Sequence, residues 1–513
     1  MSKTAKRMAK NARRMVSVFG ALLVGGMGVM GFAADAEAGA KAIVTQSASA
    51  DVVGPSAAAE PSSECVLSPR WAATRALGFT ARVRLDNALD AQVYEPGPLQ
   101  VPGLGVIVYK DGREVYSRFV GSRHIGSDGA DAPVTRDTEF RIASVSKQFT
   151  AFTLMQLVEQ GKLRLDDDVS KYLGFKLRNP AYPDTPITLE MLASHISSLR
   201  DDENNYVSSP DINIREFFVP EGRMWNGGAH FAPKGEAPGE FFCYCNLDYG
   251  ILGTVIEAVT GERFDLYQKK HILKQLSTKA DYLPDNMDRE TFSQLGTTYR
   301  RQTSDGRWDE TAPWRSVADD YQGQKQKKDR LFIDATPYDL KGYVPGTNAT
   351  GFSPQGGLRI SFAELGHALE MLMNEGVYRG RRILRPESVS EILKPRWFYD
   401  PTVNNGDTYD GTMLAYGLAE YPIFGDSTSR VCRDYAVDLV GHTGEKDGLL
   451  SGMFFRPGTK DGFLYALNGV GIELDEDPRS TGKFSGNYIW EEKIMDAICQ
   501  ALWGKEFQNN LNR

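Results

Sequence analysis

Between residues 144 and 160 apolar side chains recur every three or four positions: Val145, Phe149, Phe152, Met155 and Val158. This is the period of an α-helix with one buried face, and Gly161 just beyond it fits a helix stop. Leu247, Ile251, Val255 and Val259 predict a second helix over 247–260, with Gly261 after it. A third is expected over about 362–375, following Ser361, and an amphipathic terminal helix over 490–503. Residues 104–109 and 114–120 read as two strands joined by a tight turn at Asp111-Gly112, the signature of a β-hairpin. Late strands are expected at 449–456 and 462–468. Strands toward both ends, with helices and loops between, predict an α/β (α+β) fold. In it an antiparallel sheet flanked by helices is built from both chain ends, and a mainly helical domain is inserted. Residues 71–165 and 350–505 are assigned to the sheet domain, and 166–349 to the insert with its long loops. Within the insert, 300–350 is polar, glycine-rich and poorly periodic, and reads as a loop excursion bordering a cleft.

The length of 513 residues agrees with two subdomains. A composition of 41% hydrophobic and 25% charged residues is that of a globular protein. The formal net charge is −8 and no basic stripe follows the N-terminus, so nucleic acid is not an expected partner. The first 40 residues differ from the rest. Lys3, Lys6, Arg7, Lys10, Arg13 and Arg14 precede a glycine-rich apolar run at 15–34, and Ala34-Asp35-Ala36 and Ala36-Glu37-Ala38 offer cleavage sites. Residues 1–38 are therefore expected to be a signal peptide of an exported, periplasmic or secreted protein, the alternative being an uncleaved anchor. Residues 39–70 read as a flexible linker. Five cysteines, Cys65, Cys243, Cys245, Cys432 and Cys499, leave at least one thiol unpaired within the chain, and spacing does not reveal the pairing. No cysteine–histidine spacing points to a metal, and no cofactor is expected.

Candidate chemistry begins at Ser144-Val145-Ser146-Lys147. A serine hydroxyl needs an adjacent base to act as a nucleophile. At positions i and i+3 of a helix the lysine amine reaches the hydroxyl, and free N–H groups in the first turn favour developing negative charge. The lysine must be neutral to serve as base. Bringing its pKa from roughly 10.4 to near neutrality costs about 4 kcal/mol, which burial supplies. Ser-x-x-Lys arises by chance roughly once or twice in a chain this long. It does recur here at Ser480-Thr481-Gly482-Lys483, but that copy opens no periodic helix and reads as a loop.

Two further motifs join the first. Tyr244-Cys245-Asn246 lies just before the 247–260 helix, where a tyrosine can relay protons and an asparagine can orient a lysine. Gly441-His442-Thr443-Gly444 precedes a strand, and its glycine-rich edge admits a substrate backbone. In this order the three motifs resemble the serine β-lactamase and penicillin-binding protein superfamily, class C-like branch, with its DD-peptidases and esterases. The likeness extends to 169–173, 187–195, 238–240, 356–361 and 376–384. It implies that Ser144 is acylated and that Lys147 and Tyr244 share base and acid duties. It further implies that Asn246, His442, Thr443 and Gly444 bind substrate, and that the N–H groups of Ser144 and Glu445 form the oxyanion hole.

The chain departs from that pattern at several points. His442 stands where many β-lactamases carry a lysine, and a mostly neutral histidine does not offer a carboxylate a fixed cation. Ser198 replaces a usual glycine. Cys245 replaces a small residue, and a strained Cys243–Cys245 disulfide is not expected. His195 reads as structural. The expected activity is hydrolysis of a D-amino-acid peptide, a carboxylic ester or a β-lactam. The alternative is a weakly catalytic penicillin-binding or sensor protein that keeps the pocket.

Overall fold

The computed structural model describes residues 77–504 except 128, 203–204, 322, 326–327 and 334–335. The expected signal peptide, the linker and Cys65 lie outside the described residues.

Helix α1 (Phe79–Tyr94) leads into strands β1 (Gly103–Lys110) and β2 (Arg113–His124). Asp111 and Gly112 join the two strands with φ of 51° and 73°. Both values are positive, as the hairpin turn matching the strand twist requires, and glycine adopts them at no steric cost. After β3 (Ala132–Pro133) and β4 (Glu139–Arg141) comes α2 (Ser146–Glu159), ended where Gly161 and Lys162 donate N–H to the carbonyls of Val158 and Leu157. Helix α3 (Asn246–Thr260) follows the expected period, and after strand β5 (Arg359–Ser361) comes the expected α4 (Phe362–Met373), capped by the Ser361 hydroxyl accepting from Glu364 N–H. The chain closes with β6 (Tyr421–Ile423), β7 (Leu439–Lys446), β8 (Leu449–Phe455), β9 (Gly462–Leu467) and α5 (Ile489–Leu502).

The main sheet runs β6-β7-β8-β9-β1-β2-β3, and every neighbouring pair is antiparallel. Early and late segments meet at its centre, where Val106 of β1 faces Tyr465 of β9. Both faces are covered, so β1 is buried at seven consecutive positions. Ile107 packs with α2, α3 and α4 on one side, while Val106 and Val108 pack with α1 and α5 on the other. A disulfide joins Cys432 to Cys499 on α5, while Cys243 and Cys245 are free thiols. Among the described residues, no helix is long and apolar enough to cross a membrane.

The 300–350 stretch differs from its expectation as loop. It contributes to two antiparallel hairpins, Thr298–Arg301 with Trp314–Ala318 and Arg330–Ile333 with Thr336–Asp339. Their strands are short and half exposed, so they bury too little to leave a periodic signal. The excursion does border the cleft. Asp319, buried at φ 55°, binds Arg141 on β4 and Arg359 on β5, which hold its carboxyl well below the usual carboxylate range.

Candidate active site

Strand β4 pairs with β5 and delivers the chain to a bend at Ala143, whose φ is 44°. A non-glycine residue in this region stores strain of order 1–3 kcal/mol and persists only where its surroundings fix it. Here Ile142 N–H donates to Leu358 O at 3.0 Å, and Ser451 Oγ donates to Ile142 O at 2.8 Å. The bend corrects one detail of the sequence reading. Ser144 sits in a three-residue 3₁₀ turn, Ala143–Val145, and α2 begins only at Ser146. The left-handed backbone at Ala143 cannot continue an α-helix, and the tighter turn presents Ser144 to the cleft.

Lys147 is fully buried beneath the serine. Its Nζ lies 3.0 Å from Ser144 Oγ, 2.8 Å from Asn246 Oδ1 and 3.2 Å from the Gln355 carbonyl. A neutral amine has two N–H bonds and one lone pair. The two carbonyl oxygens can only accept, so they take the two N–H bonds and leave the lone pair toward the serine. Burial brings the lysine down to about 7, against the opposing charges of Asp201, Cys245 and Asp248.

Tyr244 lines the same cleft as the serine, with Lys147 Nζ 4.6 Å from its ring centre. Burial pushes its phenol well above the ordinary value, so it stands as a protonated hydroxyl. The segment around it is clamped by His195, at φ 57°, whose carbonyl accepts from Cys243 N–H at 3.0 Å and whose Nδ1 accepts from Cys245 N–H at 3.2 Å. The His195 ring centre lies 4.3 Å from that of Tyr244, the planes tilted by 40°. Asp248 Oδ2 is 3.3 Å from the same Nδ1, and burial pushes His195 well below and Asp248 well above its ordinary value. Asn246 opens α3. Its backbone N–H and its Nδ2 donate to Asp201 Oδ2 at 2.9 and 2.8 Å, and Leu247 N–H donates to Asp201 Oδ1 at 2.9 Å. Sequence reading missed Asp201. It lies 45 positions before Asn246 and belongs to no local motif.

Strand β7 forms the facing wall. The His442 Nδ1–H donates to the Thr443 carbonyl, which leaves Nε2 to accept from Tyr416 Oη at 2.8 Å. Burial and the nearby Lys147 charge bring His442 down to about 3, so its ring is a neutral, buried part of the wall. Tyr421 Oη lies 3.0 Å from Thr443 Oγ1. Gly444 is required for contact with the nucleophile turn. A Cβ there would stand 2.5 Å from Ile142 O, 2.5 Å from Ser451 Oγ and 3.0 Å from Ser144 N. Glu445 follows, exposed at the cleft.

The sequence-predicted residues thus converge. Ser144, Tyr244, Asn246, His442, Thr443 and Glu445 line one cleft of about 1490 Å³, with Lys147 beneath it and Gly444 in its wall. Gln355 and Asp201 complete the lysine's surroundings. No group of three or more His, Cys, Asp or Glu residues among the described residues is placed to hold a metal.

Comparison with known proteins places this arrangement. The model of the family described as Beta-lactamase matches residues 91–484. "Protein flp" of Staphylococcus aureus is 27% identical over 197 residues, 38% of each chain. Penicillin-binding protein 4 of Amycolatopsis lactamdurans is 33% identical over 172 residues, 32% of this chain and 40% of that one. The match therefore spans less than half the length of these curated relatives. Among solved structures, the D-amino acid amidase of Ochrobactrum anthropi SV3, complexed with L-phenylalanine amide, has a TM-score of 0.56 at 18% identity, covering 83% of this chain and 99% of that one. The octameric penicillin-binding protein homologue from Pyrococcus abyssi has a TM-score of 0.52 at 23% identity, covering 77% and 74%. At these identities the structural likeness is one of fold, and it agrees with the fold expected from the sequence.

Proposed function

The chain belongs to the β-lactamase family, a family of serine hydrolases, and on that premise we propose that it is an exported enzyme that cleaves an amide or ester through an acyl-enzyme on Ser144. One observation carries the reading: a fully buried lysine amine whose two other partners are carbonyl oxygens and whose remaining direction is the serine hydroxyl. In the proposed reaction Ser144 Oγ forms a bond to the substrate carbonyl carbon as its proton passes to Lys147 Nζ. The oxyanion is held by the N–H groups of Ser144 and Glu445. The bond to the leaving nitrogen or oxygen then breaks, and the proton leaves with that group, relayed by the Tyr244 hydroxyl. Water releases the acid by the same route in reverse, restoring the serine. Lys147 is the better candidate base, because Tyr244 is held as a neutral phenol.

D-amino-acid peptides and carboxylic esters are the proposed substrates ahead of β-lactams. His442 is buried and neutral, so it offers no fixed cation to a carboxylate beside the scissile bond, which favours esters and internal peptide amides. The Cys432–Cys499 disulfide supports export to an oxidising compartment. The test is a screen of the mature protein and Ser144→Ala against p-nitrophenyl esters, D-Ala-D-Ala peptides and nitrocefin. Turnover of an ester or peptide, lost in the variant, is expected. No turnover of any of the three, or turnover that survives the substitution, overturns the reading.

A further inference from the structure

An asparagine amide has nearly the same shape either way round, yet its two ends have opposite chemistry. With Oδ1 toward Lys147, Asn246 takes up a lysine N–H and leaves the lone pair free. With Nδ2 toward Lys147, the amide would donate into that lone pair and compete with the Ser144 proton. Nothing in the asparagine itself selects the first arrangement. The choice is made on its far side, where Nδ2 meets Asp201 Oδ2 at 2.8 Å. A carboxylate can only accept, so it repels an amide oxygen turned toward it. The same carboxylate takes the backbone N–H groups of Asn246 and Leu247, tying it to the N-terminus of α3. Cys245, the residue before that helix, supplies no side-chain cap of its own.

We propose that Asp201 is a positioning residue: it fixes which end of the Asn246 amide faces Lys147, and so keeps the lysine lone pair directed at Ser144. This rests on the reading of Lys147 as the base. The carboxylate also acts at a distance. Lys147 is surrounded by Asp201, Asp248, Cys245, Tyr244, Tyr249, His195 and His442, and of these Asp201 is the largest single charge that favours the ammonium form. Removing that charge, or letting the amide turn, favours the neutral amine in either case.

The experiment measures the second-order rate at which a fluorophosphonate phosphonylates the serine with loss of fluoride, standing in for acylation, per titratable active site, across pH, in the whole protein, Asp201→Asn and Asp201→Ser. Serine removes both carboxylate oxygens, and with them the contact to Nδ2. Both variants are expected to acylate more slowly above the acid limb, by about tenfold or more, as part of the general-base contribution is lost. Both should also carry that limb to lower pH than the parent. A purely structural role for Asp201 would reduce the number of titratable sites and leave the limb where it is. An unmoved limb in both variants, or an undiminished rate per site, overturns the proposal. Acylation of the parent that is absent, or that persists in Ser144→Ala, would sink the hydrolase reading itself.

Discussion

Ser144 and Ser480 each lie in a three-residue 3₁₀ turn, and each is followed three positions later by a lysine. At the first, the lysine is fully buried, its amine meets the serine oxygen at 3.0 Å, and the hydroxyl faces a cleft. At the second, the serine is buried and its hydroxyl is directed at the carbonyls of Leu474 and Asp477, while Lys483 is exposed and its backbone N–H donates to Glu492. The spacing is the same, although the turn at Ser144 runs on into α2 while Ser480 ends its turn and Thr481 after it is extended. What differs is the supply of carbonyl acceptors around the amine and the loss of water from it, and these are what turn a lysine into a base.

The comparison breaks first at the lysines. Lys147→Ala should lower the acylation rate per site by at least about 10²-fold, the low end for loss of a general base. Lys483→Ala should leave it unchanged, and equal effects of the two would erase the distinction. Next is the wall. Gly444→Ala places a methyl within 2.5 Å of Ile142 O and pushes β7 away from the nucleophile turn. A displacement on that scale should cost on the order of 10²-fold in acylation in a protein that still folds. A fully active, folded Gly444→Ala would show that the close approach is not needed.

The pH profile sharpens the comparison further. Lys147 must be neutral to accept the serine proton and is held at about 7, so acylation should rise through neutrality and level off above it. A limb near the ordinary lysine value would mean that an exposed amine, as at Lys483, does the work. The smallest expected effect concerns the second region's role in the scaffold. The Cys432–Cys499 bridge closes a 67-residue separation around Ser480. Cys432→Ser with Cys499→Ser should lower unfolding free energy by about 2–4 kcal/mol in a denaturant titration and leave acylation per site intact.

Much of this arrangement was legible in the sequence because it is local. The Asp111-Gly112 turn, the period of α2 and the apolar face of α3 each follow from neighbouring residues. So did the difference between the two tetrads, since only one opens a periodic helix. What was not legible depends on distant partners. Asp201 meets Asn246 only through the fold, and the 432–499 pairing has no local signature. The hairpins of 300–350 were hidden by short, half-exposed strands, and the 3₁₀ start at Ser144 by the positive φ of Ala143, a residue with no turn propensity to announce it.

Of the two look-alike serines, Ser144 is the nucleophile in the proposed reaction. The most direct test is to label the folded protein with a fluorophosphonate and locate the adduct by peptide mass spectrometry. The adduct is predicted on Ser144 alone and absent from Ser144→Ala. An adduct on Ser480, or label retained after Ser144→Ala, would contradict the account.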